Sequence, residues 1–423
     1  MQKQGVSVQA VLSEGFTRPV RDVLWGHVYF TNELAELAEC APFMRLHRIF
    51  QLGPVHRVYP GATHTRAGHS IGVYHLGRRL LQNLAERGAD SWISREGAMS
   101  FLCACLLHDL GHFPYTHSLK ELRLLPHESL TAAAVLKEPV KSLVAKCGAD
   151  PQMTAAIVDD SLPENRAELH FYRRLLSGCL DPDKLDYLNR DARYCGVPYG
   201  MQDVDFIMSR LAPSMERGAD IDSRLIPNVE AVLFAKYLMY RTVYWHRQVR
   251  SCTAMIKKEL LQALEKGEIS GGQLYGLDDQ SLFHLLMEKT EGRLAQAAWE
   301  GKPYSLAAEI PYTQADHACL KDITRRGECE SRFAAEAAST GVRLTPCDIV
   351  IDLPEPISFE TGLFVSDEGK NFSESSSALK GGVINSFAGT LYTVRVFVKP
   401  ESGWQIETFP HLCDILCNIK AWI

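Results

Sequence analysis

Apolar residues recur at helical spacing through most of residues 30–300 of the chain. The stretch GVYHLGRRLLQNLAERG (72–88) places apolar side chains three and four positions apart and ends on a glycine, which suits a helix C-terminus. The next such stretch, GAMSFLCACLLHDLGH (97–112), is more uniformly apolar. It therefore predicts a buried helix that ends near Gly111 or before Pro114.

Two further segments continue the helical pattern. Residues 228–267 predict one long helix or two, and residues 281–301 do the same. The chain shows no internal repeat, coiled-coil heptad or extended low-complexity tract. Together these patterns predict a mainly helical body, which we assign to residues 1–305.

The pattern changes after about residue 305. Short segments that are β-branched or alternating, and bounded by Gly, Pro, Asp or Ser, predict strands at residues 347–354, 361–367 and 391–400. The polar, turn-rich residues 369–382 predict a loop. The predicted fold class is therefore mainly α, with a helical body and a smaller C-terminal α/β lobe. We assign this lobe to residues 306–423 and expect it to be regulatory or to mediate oligomerisation.

Composition and charge describe an ordinary globular chain. The 423 residues are 46% hydrophobic and 23% charged, with a formal charge of -6, so no global basic field draws the protein to nucleic acid. No apolar run approaches the roughly 20 residues that span a bilayer, and the first residues lack an apolar signal core, so a cytoplasmic protein without a membrane partner is expected. The 12 cysteines are scattered, and those at 103–105 and 413–417 lack zinc-type partners, so reduced thiols are expected.

Histidines and aspartates are concentrated in two short parts of the chain. Eight of the 15 histidines lie within about a sixth of the sequence: His56, His64, His69, His75, His108, His112, His117 and His127. The segment LDPDKLDYLNRD (180–191) then contributes four acids: Asp181, Asp183, Asp186 and Asp191. A lone histidine more often links helices by hydrogen bonds, but two such clusters favour a divalent cation. Imidazole suits Mn, Fe, Co, Ni or Zn, and carboxylates also accept Mg.

The adjacent pair His108 and Asp109 would supply two ligands of such a site. Neighbours on a helix project about 100° apart, so both reach one ion only where the helix presents its side to the site. Further ligands must then come from elsewhere in the chain. His69 and one of the four aspartates are the candidates, and spacing alone does not select the aspartate.

Five segments in order closely resemble the HD-domain metal-dependent phosphohydrolases. Among them the resemblance is to the deoxynucleoside triphosphate (dNTP) triphosphohydrolases, including the catalytic domain of the SAM-and-HD-domain enzyme. The segments cover roughly residues 20–300: RLHRIFQLGPVHRVYPGATHTRAGHSIGVYHLG (45–77), LLHDLGHFPYTH (106–117), HES (127–129), DPDKLDYLNRD (181–191) and YRTVYWHR (240–247). An isolated HD pair is a weak signal, whereas five ordered segments are a strong one.

The resemblance implies a reaction and a set of residues. Water would attack the α-phosphorus of a dNTP and release deoxynucleoside and intact triphosphate. The implied ligands of the divalent ion (Mn, Mg, Fe, Co, Ni or Zn) are His69, His108, Asp109 and Asp183. The implied phosphate contacts are Arg66, Lys184, Tyr187, His112 and His117, and His127 would protonate the leaving 5′ oxygen. Gln51 and Asp191 would bind the 3′ hydroxyl, while Leu52 and Tyr244 would exclude a 2′ hydroxyl.

The chain departs from the family pattern at three places. Lys120 stands where the SAM-and-HD-domain enzyme has an aspartate, and Trp245 stands where it has a glutamine. His47 replaces an arginine of the nucleotide-activator site, although Arg45 and Glu39 are present. The proton relay, the base or sugar contacts, and the identity of any activator are therefore expected to differ.

The leading hypothesis is a dNTP triphosphohydrolase that forms a homodimer or homotetramer and binds a nucleotide activator at a subunit interface. It would serve nucleotide balance or defence against phage. One alternative keeps the metal site but makes the chain a nucleotidase, a nuclease or another phosphoesterase; the acidic balance disfavours a nuclease. Another alternative is a nucleotide-sensing or nucleic-acid-binding protein with residual catalysis.

Overall fold

The computed structural model describes residues 7–163, 165–339 and 343–400. Within them the α-helices are α1 (Val8–Ser13), α2 (Asn32–Ala38), α3 (Ala41–Met44), α4 (Arg66–Glu86), α5 (Arg95–Leu107), α6 (His127–Val135), α7 (Val140–Lys146), α8 (Pro151–Val158), α9 (Leu169–Leu176), α10 (Pro182–Cys195), α11 (Val204–Arg210), α12 (Ile226–Met239), α13 (Arg247–Glu265), α14 (Gly271–Leu274), α15 (Asp279–Lys289), α16 (Arg293–Trp299), α17 (Gln314–His317), α18 (Ile323–Ser339) and α19 (Gly381–Leu391). The strands are β1 (Arg18–Asp22), β2 (Gly26–Phe30), β3 (Ala212–Ser214), β4 (Gly218–Asp220), β5 (Ser305–Pro311), β6 (Ile349–Asp352), β7 (Phe364–Val365), β8 (Lys370–Asn371) and β9 (Thr393–Val398). The predicted fold class, a helical body with a small strand-containing lobe, is confirmed.

Helices α4, α5 and α10 form the centre of the body, where α4 packs against both of the others. Helix α5 is buried from Gly97 to Leu107, which explains why its sequence is apolar on every side. It ends at Leu107, before the predicted end near Gly111. The chain turns there instead, because the N–H of Leu110 donates to the Leu107 carbonyl and the N–H of His112 donates to the Asp109 carbonyl.

The long apolar stretch 228–267 forms two helices, α12 and α13. A π-helical turn, Tyr240–Tyr244, follows α12, and the side chain of His246 caps the start of α13. Such turns occur frequently at functional sites, because they re-aim side chains within an otherwise regular helix. The stretch 281–301 also forms two helices, α15 and α16, which meet at Gly292 with a positive φ of 67°.

The lobe contains the three predicted strands as β6, β7 and β9. Strand β9 lies between β5 and β6 in an antiparallel sheet of order β5-β9-β6. Some side chains of the sheet, such as Ile351 and Val396, belong to one apolar cluster with Phe333 of α18. Others, Val350 and Phe397, belong to a second cluster with Met255 of α13. Strand β5 was not predicted, because its sequence SLAAEIP is rich in alanine, a weak strand former. The predicted loop 369–382 also contains the short strand β8.

After β6 the chain leaves the sheet and returns to the helical body. Residues 353–363 form neither helix nor strand. Ile357 and Phe359 pack in a cluster with Tyr237 and Trp245, which lie at the junction of α12 and α13. The lobe therefore contacts the body beyond the chain connection at residue 305, and the boundary at that residue stays a prediction.

None of the helices described is long and apolar enough to cross a membrane. The cysteines in the described residues are free thiols, and Cys103 and Cys105 are buried in α5. There they pack as small apolar side chains. The segment 413–417, which holds two more cysteines, lies outside the described residues.

Candidate active site

One cavity of about 490 Å³ collects most of the side chains selected from the sequence. Its walls include twelve of them: Gln51, Leu52, Arg66, His69, His108, Asp109, His117, His127, Asp183, Tyr187, Asp191 and Tyr244. Two others, His112 and Lys184, are absent from the cavity wall. A cavity of this volume is within the range of small-molecule sites.

The four proposed metal ligands converge from three elements. His69 comes from the first turn of α4, His108 and Asp109 from the turn after α5, and Asp183 from the first turn of α10. Ligand atoms of His69, His108 and Asp109 all lie within 4.8 Å of one another. Asp183 Oδ1 lies 2.9 Å from His69 Nε2 and 3.9 Å from His108 Nε2. Two imidazoles and two carboxylates in this arrangement fit a divalent transition metal.

The hydrogen bond of His108 leaves its Nε2 available for a metal. His108 Nδ1 lies 2.9 Å from the Cys105 carbonyl, which can only accept, so the proton is on Nδ1. His108 Nε2 is buried and has no hydrogen-bond partner among the described residues. Burial would lower the pKa of His69, but Asp183 and Asp186 raise it to about 10. Asp183 and Asp186 thus favour a positive charge at His69, which a divalent cation at Nε2 would supply in place of the proton.

Asp186 supports His69 from behind. Its Oδ2 lies 2.8 Å from His69 Nδ1, and Arg190 donates to both of its oxygens at 2.7 and 2.9 Å. The indole N–H of Trp25 also donates to Oδ1, at 2.6 Å. A Cβ at position 72 would lie 1.9 Å from Asp186 Oδ1, so the close approach of α10 to α4 requires Gly72. The sequence offered Asp186 only as one of four acids; its role as a support became visible in the structure.

Asp186→Asn is expected to weaken metal affinity about 10- to 100-fold, because the carboxylate fixes the orientation and basicity of His69. The matched control is Asp22→Asn, since Asp22 accepts from Arg190 at 2.9 Å but does not touch His69. Both variants should lose stability, but only the first should lose metal affinity. Chelator competition, with circular dichroism to monitor folding, measures both quantities. Equal metal affinities in the two variants would contradict this role of Asp186.

Arg66 binds one of the proposed metal ligands. Its Nη1–H donates to Asp109 Oδ2 at 2.7 Å, and both side chains are buried. Burial would raise the pKa of Asp109, but His112, Arg66 and His108 lower it well below its usual range. Asp109 therefore stays ionised, as a metal ligand must be. Arg66 Nε has no partner among the described residues, and the side chain faces the cavity, so it can also reach a phosphate.

His112, His117 and His127 form a second histidine group. Their ring centroids lie 3.9 to 5.2 Å apart. Burial lowers the pKa of each, and for His127 burial and the neighbouring His117 lower it to about 2. All three are therefore neutral near pH 7. The group also has ligand atoms within 4.8 Å of one another.

The proposed sugar contacts are held by hydrogen bonds around Asp191. Tyr244 O–H donates to Asp191 Oδ2 at 2.6 Å, and His64 Nε2 lies 2.8 Å from Asp191 Oδ1. Gln51 Oε1 is buried without a partner among the described residues, so it can accept a hydrogen bond from a ligand hydroxyl. Leu52 lies beside it in the wall. His64 was noticed in the sequence only as one histidine of the cluster.

Two residues that depart from the family pattern and one arginine that the chain retains occupy different surroundings. Lys120 and Trp245 both line the cavity. The retained Arg45 instead stabilises the turn that follows His108 and Asp109. Its guanidinium donates to the carbonyls of Leu110 and His112 at 2.6 Å each. Arg45 is thus engaged by the backbone of its own chain.

Part of the cavity wall comes from a segment that the sequence did not select. Glu355, Pro356, Ile357, Ser358 and Glu360 line the cavity after the chain leaves β6. Lys236 of α12 lines it as well, and it is the only basic residue of that helix. The single basic residue of a largely apolar helix was the one available signal, because nothing in EPISFE (355–360) marks a binding function.

The fold and the His/Asp cluster define a helical protein with a candidate metal site, and two parts of the chain match known domain families. Residues 66–161 match the HD domain and residues 208–382 match the HD associated region. The chain therefore contains an HD domain followed by an HD-associated region. His69, His108 and Asp109 lie within the first match.

The relatives found are similar to this chain over part of their length. The Mycoplasma pneumoniae homolog of MG461 is 33% identical over 53% of this chain and 55% of its own length. The human deoxynucleoside triphosphate triphosphohydrolase SAMHD1 is 26% identical over 64% of this chain and 49% of its own. The chain thus spans about half the length of the curated relatives it matches. A solved phosphohydrolase from Bacteroides thetaiotaomicron shares the fold, with a TM-score of 0.69 at 22% identity over 90% of this chain and 100% of that one.

Proposed function

We propose that the protein is a metal-dependent phosphohydrolase that hydrolyses dNTPs to deoxynucleoside and triphosphate by water attack at the α-phosphorus. The observation that carries this proposal is one cavity that joins a His/Asp cluster, a histidine group and a hydrogen-bonded Asp191. The HD domain and the likeness to a dNTP triphosphohydrolase support it.

The proposed ligands of the ion are His69, His108, Asp109 and Asp183. The ion would supply Lewis acidity to phosphate oxygens and to water. Arg66, which already holds Asp109, would bind phosphate oxygens with its remaining donors.

The histidine group would handle the phosphates and the leaving group. Neutral His117 lines the cavity and can donate a hydrogen bond to a phosphate oxygen, and Tyr187 would contribute a second contact. His112, which is absent from the cavity wall, packs against His117 and His127. The charges of a bound triphosphate would raise the pKa of His127 from its low value near 2. Its protonated imidazole would then deliver a proton to the departing 5′ oxygen.

Selection for deoxyribose would follow from the residues around Asp191. Gln51 and Asp191 would bind the 3′ hydroxyl, while Leu52 and Tyr244 would occupy the space of a 2′ hydroxyl. The hydrogen bond from Tyr244 to Asp191 fixes the tyrosine ring, which makes it a rigid steric barrier.

Assembly into a dimer or tetramer with a nucleotide activator at the interface stays part of the proposal, and light scattering with and without dNTP mixtures tests it.

Product analysis in ¹⁸O-water tests the reaction. Each dNTP and NTP is incubated with the full chain and Mg, Mn, Co or Ni, singly and in mixtures, and products are separated by anion exchange. We expect deoxynucleoside and triphosphate in equal amounts, with the label on a terminal phosphorus of the triphosphate. The variant Asp183→Asn, assayed in parallel, controls for contaminating phosphatases.

The product pattern separates the candidate reactions. Nucleoside monophosphate or diphosphate as the product would contradict the proposal and indicate a nucleotidase. Turnover of oligonucleotides without turnover of dNTPs would indicate a nuclease.

A further inference from the structure

The segment of residues 354–362, called here the wall segment, brings an acidic side chain to two lysines. Glu360 Oε2 lies 3.1 Å from Lys236 Nζ and 3.7 Å from Lys184 Nζ. Lys236 also donates to the Ser358 carbonyl at 2.8 Å, within the same segment. One carboxylate therefore bridges a lysine of α10 and a lysine of α12.

The charges of this arrangement favour an anion between the two lysines. Lys236 is 7% exposed, and a buried ammonium is costly without a partner. Among the described residues Lys236 pairs with Glu360, while Lys184 also pairs with Asp181 at 2.8 Å. Burial would raise the pKa of Glu360, but Lys184 and Lys236 lower it, so the carboxylate is ionised near neutral pH.

Lys184 is absent from the cavity wall, and its Nζ is held by Asp181 and the Gly178 carbonyl as well as by Glu360. Glu360 and Lys236 line the cavity, while Lys184 contacts Glu360 and not the cavity itself. A carboxylate held by two ammonium groups is also a fair substitute for a phosphate oxygen, since both are anionic acceptors.

We propose that Glu360 occupies the place of a terminal phosphate group of the substrate, and that a polyphosphate binds by displacing it from Lys184 and Lys236. This inference rests on the proposed function, because it assumes that the cavity takes a phosphate chain. It adds that a side chain of this protein competes with the ligand for the two lysines. A ligand therefore binds only if its negative charge is sufficient to displace that carboxylate. A triphosphate overcomes the competition more readily than a diphosphate or a monophosphate.

The wall segment is built so that the side chain can leave while the backbone stays. Ile357 and Phe359 anchor it in the apolar cluster with Tyr237 and Trp245. The side chain of Glu360 is 42% exposed, and besides the lysines it accepts only from the Ser358 hydroxyl, at 3.3 Å, and from its own backbone N–H among the described residues. Rotation of one side chain therefore removes the shared carboxylate from both lysines, while Lys184 keeps its pair with Asp181 and Lys236 keeps the Ser358 carbonyl.

Calorimetric titration of the metal-loaded full chain with inorganic tripolyphosphate and with pyrophosphate tests the inference. Glu360→Gln is expected to tighten tripolyphosphate binding by about tenfold, since it removes a partly exposed competing charge, and to narrow the preference for tripolyphosphate over pyrophosphate. Glu368→Gln is the matched control. It makes the same chemical change in the lobe, where Glu368 accepts from Ser376 and does not line the cavity.

A double-mutant cycle with Lys236→Met checks that the effect passes through the lysine pair. The gain from Glu360→Gln should largely disappear in the Lys236→Met background. Tripolyphosphate affinity that changes no more in Glu360→Gln than in Glu368→Gln would overturn the inference, as would a gain that persists in full without Lys236. Failure of the proposed reaction is a separate result: tighter tripolyphosphate binding without production of triphosphate from dNTPs would keep the Glu360 competition and reject the dNTP reaction.

Discussion

Asp183→Asn is expected to abolish metal-supported turnover, lowering kcat by about 1,000-fold or more, and to reduce bound metal to background. The reason is that Asp183 Oδ1 lies 2.9 Å from His69 Nε2, and a neutral amide removes one of the two anionic ligands proposed for the ion. Elemental analysis of dialysed protein gives the metal content, and triphosphate release gives kcat.

Asp183 is a cleaner test position than Asp109. The side chain of Asp183 is 37% exposed, whereas Asp109 is buried and pairs with the buried Arg66. Removing Asp109 would leave Arg66 without its partner in a low-dielectric site, so a loss of activity could arise from unfolding. The melting temperature of Asp183→Asn should stay close to that of the parent chain.

The control for Asp183→Asn is Asp205→Asn. Asp205 is 80% exposed and pairs with Arg79 away from the cavity, so its loss should change neither metal content nor kcat. Metal content and activity retained in Asp183→Asn would reject the proposed ligand set.

Gly111→Ala is expected to lower kcat by about 100-fold or more and to destabilise the chain by about 1 to 3 kcal/mol. A Cβ at this position would lie 2.3 Å from the His127 carbonyl oxygen and 2.4 Å from the Thr131 amide nitrogen. Both atoms belong to the backbone of α6, so neither can move aside by a rotamer change. The turn that carries Asp109 must then shift away from His127, and the metal cluster and the proposed proton donor lose their relative positions.

Urea unfolding, metal content and kcat separate the two parts of the Gly111→Ala prediction. Gly272→Ala is the matched control, because Gly272 lies within α14 and a Cβ there would meet nothing within 4 Å. That substitution should be neutral, or stabilising by up to about 1 kcal/mol through the unfolded chain. Gly111→Ala with the stability and kcat of the parent would show that the close packing of this turn on α6 is not required.

The local sequence around α5 predicted the burial of the helix but not the residue at which it ends. The apolar stretch 97–112 predicted a buried helix, and α5 is buried over its whole C-terminal part. The helix end was placed too late, because local sequence did not show that Gly111 packs against the backbone of α6. The stretch 228–267 likewise left one helix or two open, and the turn Tyr240–Tyr244 decided for two.

The sequence by itself determined the mainly α fold class, the three strands it named, and the residue types that could form a metal cluster. These follow from periodicity and composition, which are local properties of the chain. Only the tertiary structure decided which aspartate stands behind His69, that Arg45 braces the metal turn, and that Glu360 reaches Lys184 and Lys236. Each of these contacts joins residues far apart in sequence. Such pairings depend on how the helices and the lobe pack together. This packing is determined by many core residues at once, so no single segment of the sequence predicts it.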